Sequence, residues 1–216
     1  KVLGIQPGEE VLVPTLTFVA AVNPVHYIGA DPVFMDCDDT LTLDPKKLKR
    51  FCEEECEFDG NILKNKTSCR KVTALVVVHV FGNLADMEEI MSLAGTYHLK
   101  VIEDATEALG SCYREGAYEG RYAGTIGDIG VFSFNGNKII TTGGGGMVVS
   151  QNPELTERCR FLSTKAKKDT VYFVHEEIGY NYRMTNLQAA LGLAQLEQLE
   201  EFIRIKKENY ELYQKE

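Results

Sequence analysis

Ala74-Leu75-Val76-Val77-Val78-His79-Val80 is followed, after one helical pattern, by Leu99-Lys100-Val101-Ile102-Glu103-Asp104, and this pair of apolar runs decides the fold. The first run is almost continuously apolar and rich in β-branched residues, as in a strand buried on both faces. Between the two, Asp86-x-x-Glu89 resembles a capping box, and Met87, Ile90, Met91 and Ala94 recur at helical spacing to about Tyr97. Two buried strands joined by one helix form a βαβ unit, whose strands run parallel. His79 and Asp104 are then equivalent ends of two strands. Neighbouring strand positions point to opposite faces, so Glu103 is expected to face away from Asp104.

The alternation continues in both directions. Upstream, Val11 to Phe18 and Pro32 to Asp36 have the character of strands, and a short helix starts at Ala20 and closes over Asn23 to Ile28. Asp44-Pro45 places an N-cap before a proline at the first helical position and opens a helix to about Cys56. Phe58 to Arg70 is polar and turn-rich, an exposed hairpin or loop. Downstream, Ile129 to Phe134 and Gly145 to Ser150 are strands, and Asn152-Pro153 caps a helix to about Thr164. Thr185-x-x-Gln188 is a capping box for one last helix, with Leu187, Leu191, Ala194, Leu199, Phe202 and Ile203 roughly on one stripe. The expected fold is α/β, a single domain over residues 1–216 with a mostly parallel central sheet flanked by helices. In such sheets ligands bind at the carboxyl ends of the strands.

Composition narrows the function classes. A chain of 216 residues, 44% apolar and 25% charged, buries a sizeable core in an ordinary globular domain. Its net charge of -9 argues against a general nucleic-acid binder, and no apolar run is long enough to span a bilayer. The six cysteines form no Cys-x-x-Cys pair, and no histidine stands at zinc-finger spacing from Cys52 and Cys56. Free thiols of a reducing, cytoplasmic compartment are expected, with no metal site. The chain opens on Leu3-Gly4-Ile5-Gln6-Pro7-Gly8, like the end of a helix and a turn, and stops inside a charged stretch from Lys206 to Glu216. A fragment of a longer protein is expected.

Two strand ends carry the chemistry. Lys138 follows the strand that ends in Phe132-Ser133-Phe134, and Asp104 ends the strand Val101-Ile102-Glu103. These are the two groups a pyridoxal phosphate enzyme needs. The lysine forms a Schiff base with the cofactor aldehyde, and the carboxylate pairs with the ring nitrogen. Asp104 serves equally well as a helix N-cap for Ala105 to Leu109, so alone it decides nothing. Glu107 could touch the same ring or complete a capping box. Ser133 is five residues from Lys138, so its hydroxyl can donate to a phosphate while the amine reaches the aldehyde. The glycines at 143–146 are followed by Met147 rather than the lysine of a P-loop, and no G-x-G-x-x-G follows a strand. These glycines allow a tight turn and a close backbone approach. Phe18 is either a ring that stacks on a cofactor or a core residue. His79 either lines the site or is a satisfied core histidine. In Gly179-Tyr180-Asn181-Tyr182-Arg183 the polar groups form an ordered turn or donate to ligand, and Arg183 suits a carboxylate or phosphate.

Six ordered blocks resemble the DegT/DnrJ/EryC1/StrS family of pyridoxal-phosphate sugar aminotransferases. They are Val13-Pro14-Thr15-Leu16-Thr17-Phe18, Gly29-Ala30-Asp31-Pro32-Val33-Phe34-Met35-Asp36, Val78-His79-Val80-Phe81-Gly82, Glu103-Asp104-Ala105-Thr106-Glu107-Ala108-Leu109-Gly110, Gly127-Asp128-Ile129-Gly130-Val131-Phe132-Ser133-Phe134 and Gly179-Tyr180-Asn181-Tyr182-Arg183-Met184. Asn135-Gly136-Asn137-Lys138 resembles the branch that aminates nucleotide-linked 4-keto-6-deoxy sugars, such as the legionaminic-acid pathway enzymes.

The resemblance implies the large domain of an aspartate-aminotransferase (type I) fold and a homodimer with shared active sites. It makes Lys138 the Schiff-base lysine, Asp104 the pyridinium partner, Ser133 a phosphate contact and Phe18 the aromatic on the ring. It sends Asn181 to the cofactor phosphate of the other subunit and puts Arg183 near substrate, with His79 and Tyr180 as further substrate contacts. Glu107 stands where the family commonly has glutamine. The implied reaction is ping-pong transfer from glutamate to a keto sugar. The implied family also has an upstream serine-glycine-threonine segment and a C-terminal small domain, which this chain is expected to lack. A related sugar dehydratase replaces the lysine with histidine, which Lys138 argues against. A non-catalytic or regulatory protein on the same fold stays open.

Overall fold

The computed structural model describes residues 1–169 and 171–215. Among them, one sheet contains β1 (Glu10–Pro14), β2 (Asp31–Met35), β3 (Cys56–Phe58), β4 (Leu63–Asn65), β5 (Lys71–Val78), β6 (Lys100–Asp104), β7 (Ile129–Ser133) and β8 (Gly146–Val149). The helices are α1 (Asn23–Tyr27), α2 (Pro45–Arg50), α3 (Met87–Tyr97), α4 (Pro153–Ser163), α5 (Asn186–Leu196) and α6 (Leu199–Tyr213). The spatial order is β2-β1-β5-β6-β7-β8, with the β3–β4 hairpin joined to β5 through β4. From β2 to β7 every neighbouring pair is parallel, while β8 and β4 run antiparallel to their partners. The α/β reading, the βαβ unit and the exposed hairpin are all present.

The two faces of the sheet follow from strand parity. Leu12, Leu75, Val77 and Val101 pack with Leu48 of α2 and with Met87, Ile90 and Ala94 of α3. Val11, Val13, Ala74, Val76 and Val78 face the other way, with Val25 of α1. Register partners on parallel strands point the same way, and Val78 is level with Asp104, which is level with Val131. Asp104 and Ser133 therefore share the α1 face. That face thins out toward the edge: Val131 and Ser133 are half-buried, and Val148 on β8 is 46% exposed. The sheet is thus packed on one side and open on the other where the chemistry-bearing strand ends lie.

Three local expectations need correction. β1 stops at Pro14, where its partner β2 also stops, because Pro14 pairs with Met35 and the ladder then runs out. Phe18 is four residues farther on, before a 3₁₀ turn over Val19–Ala21. The helix from Pro45 ends at Arg50 and widens into a π turn over Phe51–Glu55, which accompanies the burial of both Phe51 and Cys52. The last helix is two helices. Gln198 leaves helical geometry at ψ 6°, and its side chain donates to the Ala194 carbonyl, satisfying an acceptor orphaned at the end of α5. The caps fare better: the Thr185–Gln188 box is complete, and Asp86 accepts the Glu89 N–H. No helix among the described residues is long and apolar enough to cross a membrane. Cys52 and Cys56 lie in the core, where burial pushes their thiols up to about 12 and about 11.

Candidate active site

β6 and β7 deliver two groups to one end of the sheet. Asp104 is half-buried, and its Oδ1 accepts the Thr106 N–H at 3.1 Å. Its Oδ2 has no hydrogen-bond partner among the described residues. No helix follows at Ala105 to Leu109, so Asp104 is no helix N-cap; one of its oxygens holds the turn after β6 and the other is left for a ligand. Ser133 lies two positions past Val131, the register neighbour of Asp104, and its Oγ accepts the Asn135 N–H at 3.3 Å.

Lys138 sits in the connection between β7 and β8. Backbone hydrogen bonds close the base of this loop: Phe134 N–H to the Gly145 carbonyl at 3.0 Å and Thr142 N–H to the Phe134 carbonyl at 2.9 Å. From α5, the Gln195 amide accepts the Thr141 N–H and donates to the Thr141 carbonyl. The glycines do what was expected of them. Gly145 has φ +99°, and a Cβ on Gly146 would stand 2.4 Å from the Phe132 carbonyl oxygen. The Lys138 side chain, 19% exposed, reaches the turn after β6, where its Nζ lies 3.5 Å from Glu107 Oε1. The other oxygen of Glu107 accepts the Phe81 N–H at 2.8 Å. Phe81 has φ 56°, a costly conformation for a bulky residue, so Glu107 ties a strained turn after β5 to the lysine loop.

The remaining candidates are distributed differently. Phe18 is 79% exposed and is no part of the core. Tyr180 stacks on Tyr182 with ring centroids 4.9 Å apart, and its N–H and carbonyl bond to the end of α4 through Leu162 and Lys165. Asn181 pairs with Thr164 in an isolated bridge, and Arg183 is exposed. No hydrogen bond or ion pair among the described residues joins Tyr180, Asn181 or Arg183 to Asp104, Ser133 or Lys138. Of the two readings of His79, the structure fits the satisfied core histidine and not a substrate contact. It is fully buried, and both ring nitrogens are engaged by protein.

The partner of His79 is Glu103, which the residue-level reading set aside as facing away. It does face away, into the core, and it is fully buried as well. Its Oε1 accepts the N–H groups of Ile126 at 2.6 Å and Gly127 at 2.5 Å. Its Oε2 accepts the Gly124 N–H at 2.9 Å and lies 3.0 Å from His79 Nε2. The Ala85 N–H donates to His79 Nδ1 at 3.2 Å, so that nitrogen is bare and the proton is on Nε2. His79 is the neutral tautomer donating to a carboxylate. Burial pushes the Glu103 carboxyl up, but the His79 hydrogen bond and the backbone donors outweigh it and hold it below its ordinary value.

The sign of the pH effect follows. An unfolded glutamate titrates near 4.5 and folded Glu103 lower, so its contribution is full above about 4.5 and is lost as pH falls toward the folded value. Urea unfolding between pH 6 and pH 3 is expected to show a steeper loss of stability in the unmodified protein than in Glu103→Gln. Parallel curves would rule out Glu103 as an acid-labile element.

A parallel α/β sheet that carries a half-buried aspartate, a serine hydroxyl and a partly buried lysine at one end is the arrangement of a pyridoxal-phosphate transferase large domain. This chain belongs to the DegT/DnrJ/EryC1/StrS aminotransferase family, which it matches over residues 1–216. It is 44% identical over 213 residues to a GDP-perosamine synthase of Escherichia coli O157:H7, covering 99% of this chain and 53% of that protein. It is 36% identical over 200 residues to a UDP-N-acetyl-3-dehydro-alpha-D-glucosamine 3-aminotransferase of Acidithiobacillus ferrooxidans, covering 92% and 48%. Among solved structures, the aminotransferase TlmJ from Streptoalloteichus hindustanus superposes with a TM-score of 0.84 at 32% identity, over 99% of this chain and 53% of that one. The chain spans about half the length of the relatives it matches. The family's enzymes depend on pyridoxal phosphate.

Proposed function

We propose that this chain is the cofactor-binding part of an aminotransferase that moves an amino group from an amino acid, glutamate by preference, to a nucleotide-linked 4-keto-6-deoxy sugar. The observation that carries the reading is Lys138 Nζ 3.5 Å from Glu107, three residues after Asp104, whose carboxylate keeps one oxygen unpartnered among the described residues. The residues present fit pyridoxal phosphate. Asp104 Oδ2 is an acceptor for a ring N–H, Lys138 Nζ is an amine for an aldehyde, and the Ser133 hydroxyl is a donor for a phosphate. Phe18 offers an exposed ring for stacking.

When bound, pyridoxal phosphate supplies an aldehyde that condenses with amines and a protonated ring that accepts electrons. Lys138 Nζ takes the proton from the donor's Cα and later returns one to the sugar carbon that gains nitrogen. Asp104 keeps a positive ring nitrogen paired in a half-buried setting, where water screens it weakly. Glu107 restrains Lys138 between these tasks. Asn181, Tyr180 and Arg183 make no hydrogen bond or ion pair with the Lys138 group among the described residues of one chain, which leaves the 179–183 segment available to a partner's site in a homodimer. A cytoplasmic location agrees with a nucleotide-sugar substrate. The 4-keto-6-deoxy assignment and the legionaminic-type branch rest on Asn135-Gly136-Asn137-Lys138.

The test is an absorbance spectrum of the protein loaded with pyridoxal phosphate, before and after glutamate. A visible band that moves to shorter wavelength with glutamate is expected, and a panel of keto sugars should then restore it selectively. A band that ignores every amino acid would exclude amino transfer.

A further inference from the structure

Glu103 and His79 are a buried pair on the face of the sheet away from the candidate site, and nothing in the proposed chemistry uses them. Their connections nonetheless end at Asp104. Glu103 is the residue before it. The His79 backbone N–H donates to the Asp104 carbonyl at 3.0 Å, while the His79 ring donates to Glu103. On the other side, Glu103 gathers three N–H groups of the 124–127 turn, which leads into β7. β7 in turn supplies the Val131 carbonyl that accepts the Ala105 N–H at 2.9 Å. The backbone on both sides of Asp104 is therefore fixed by groups that Glu103 or His79 anchors.

Four donors converge on one fully buried carboxylate, the His79 and Gly124 bonds wholly buried and those of Ile126 and Gly127 partly so. Losing one acceptor oxygen leaves buried N–H groups unpaired.

We propose that the Glu103–His79 pair is a positioning device for Asp104: it clamps the 124–127 turn and the end of β5 to the end of β6, and so sets where the Asp104 carboxylate meets the cofactor ring. This rests on the cofactor reading given above. Glu103→Gln tests it with little change in shape. The amide nitrogen would face either the His79 Nε2–H and Gly124 N–H or the two N–H groups of Ile126 and Gly127. A tautomer switch at His79 would only move the conflict to the Ala85 N–H.

The experiment compares the unmodified protein, Glu103→Gln and Leu48→Ala, a core change in α2 remote from Asp104, at a temperature where all three are folded. Pyridoxal phosphate is titrated into each apo-protein, and the absorbance of the bound form is followed against pH. Glu103→Gln is expected to bind at least about tenfold more weakly and to shift the pH at which the band changes. Leu48→Ala is expected to lose stability without either effect. If Glu103→Gln binds pyridoxal phosphate normally with an unshifted band, or if Leu48→Ala reproduces both changes, the pair is only structural. If the unmodified protein takes up no pyridoxal phosphate, the proposed function fails and this inference with it. Should Glu103→Gln fail to fold, His79→Gln, which keeps a side-chain donor, is read by the same criteria.

Discussion

Lys138→Ala is expected to slow amino transfer by about 10²- to 10⁴-fold, the usual contribution of a positioned acid–base group. The loss should be chemical rather than structural. The hydrogen bonds that close the loop use the backbone of Phe134, Thr142 and Gly145, and the α5 contact uses Gln195. None involves the Lys138 side chain, whose one polar contact among the described residues is Glu107 at 3.5 Å. A partly exposed ion pair of that length contributes little to stability, so the melting temperature should hardly move. Added small primary amines should restore part of the proton transfer, because the truncation leaves room beside Glu107. Single-turnover rates with glutamate are the measurement. A variant within a few-fold of the unmodified protein would sink the assignment of Lys138.

Asp104→Asn is expected to have the second largest effect. The amide keeps an oxygen for the Thr106 N–H, so the turn after β6 survives. What disappears is the negative charge proposed to face the ring nitrogen. Breaking a hydrogen-bonded charge pair away from water costs about 2–5 kcal/mol, or roughly 30- to 5,000-fold in rate. Asp104 is only half-buried, which favours the lower part of that range. The comparison to make is kcat/KM at saturating cofactor beside the unfolding curve. Near-normal turnover would show that the carboxylate only holds the turn after β6.

The parallel core was legible because its signal is redundant: β5 carries the apolar run Ala74–Val78, β6 carries Val101 and Ile102, and the helix between them has a clear stripe. The glycine turn before β8 was legible because glycine has few reasons to be repeated. Other features depended on contacts that a local pattern does not carry. The break at Gln198 is a side chain meeting a carbonyl one turn back, and the apolar stripe runs across it without interruption. The end of β1 depends on where β2 stops. His79 is the instructive case. The parity that turned Glu103 away from Asp104 turns His79 away too, since Val78 is level with Asp104. Applied across the register rather than along one strand, it would have paired His79 with Glu103. The role of Phe81 had no such signal, because a positive φ at phenylalanine is invisible in composition.

The turn clasped by Glu103 also presses on β7. A Cβ on Gly130 would fall 1.8 Å from the Gly124 carbonyl oxygen, and one on Gly127 would fall 2.9 Å from that of Val101. The consequence is evolutionary. Mutation cannot pass through these positions one at a time: a side chain at 130 evicts the turn, and eviction strands the Glu103 carboxylate without its donors. Gly127 and Gly130 are therefore tied to the turn that Glu103 holds, and a side chain at either is expected to be tolerated only together with changes in that turn. A library that shuffles them singly would find the fold brittle there, while one that replaces the whole turn and its carboxylate at once would sample the only exits.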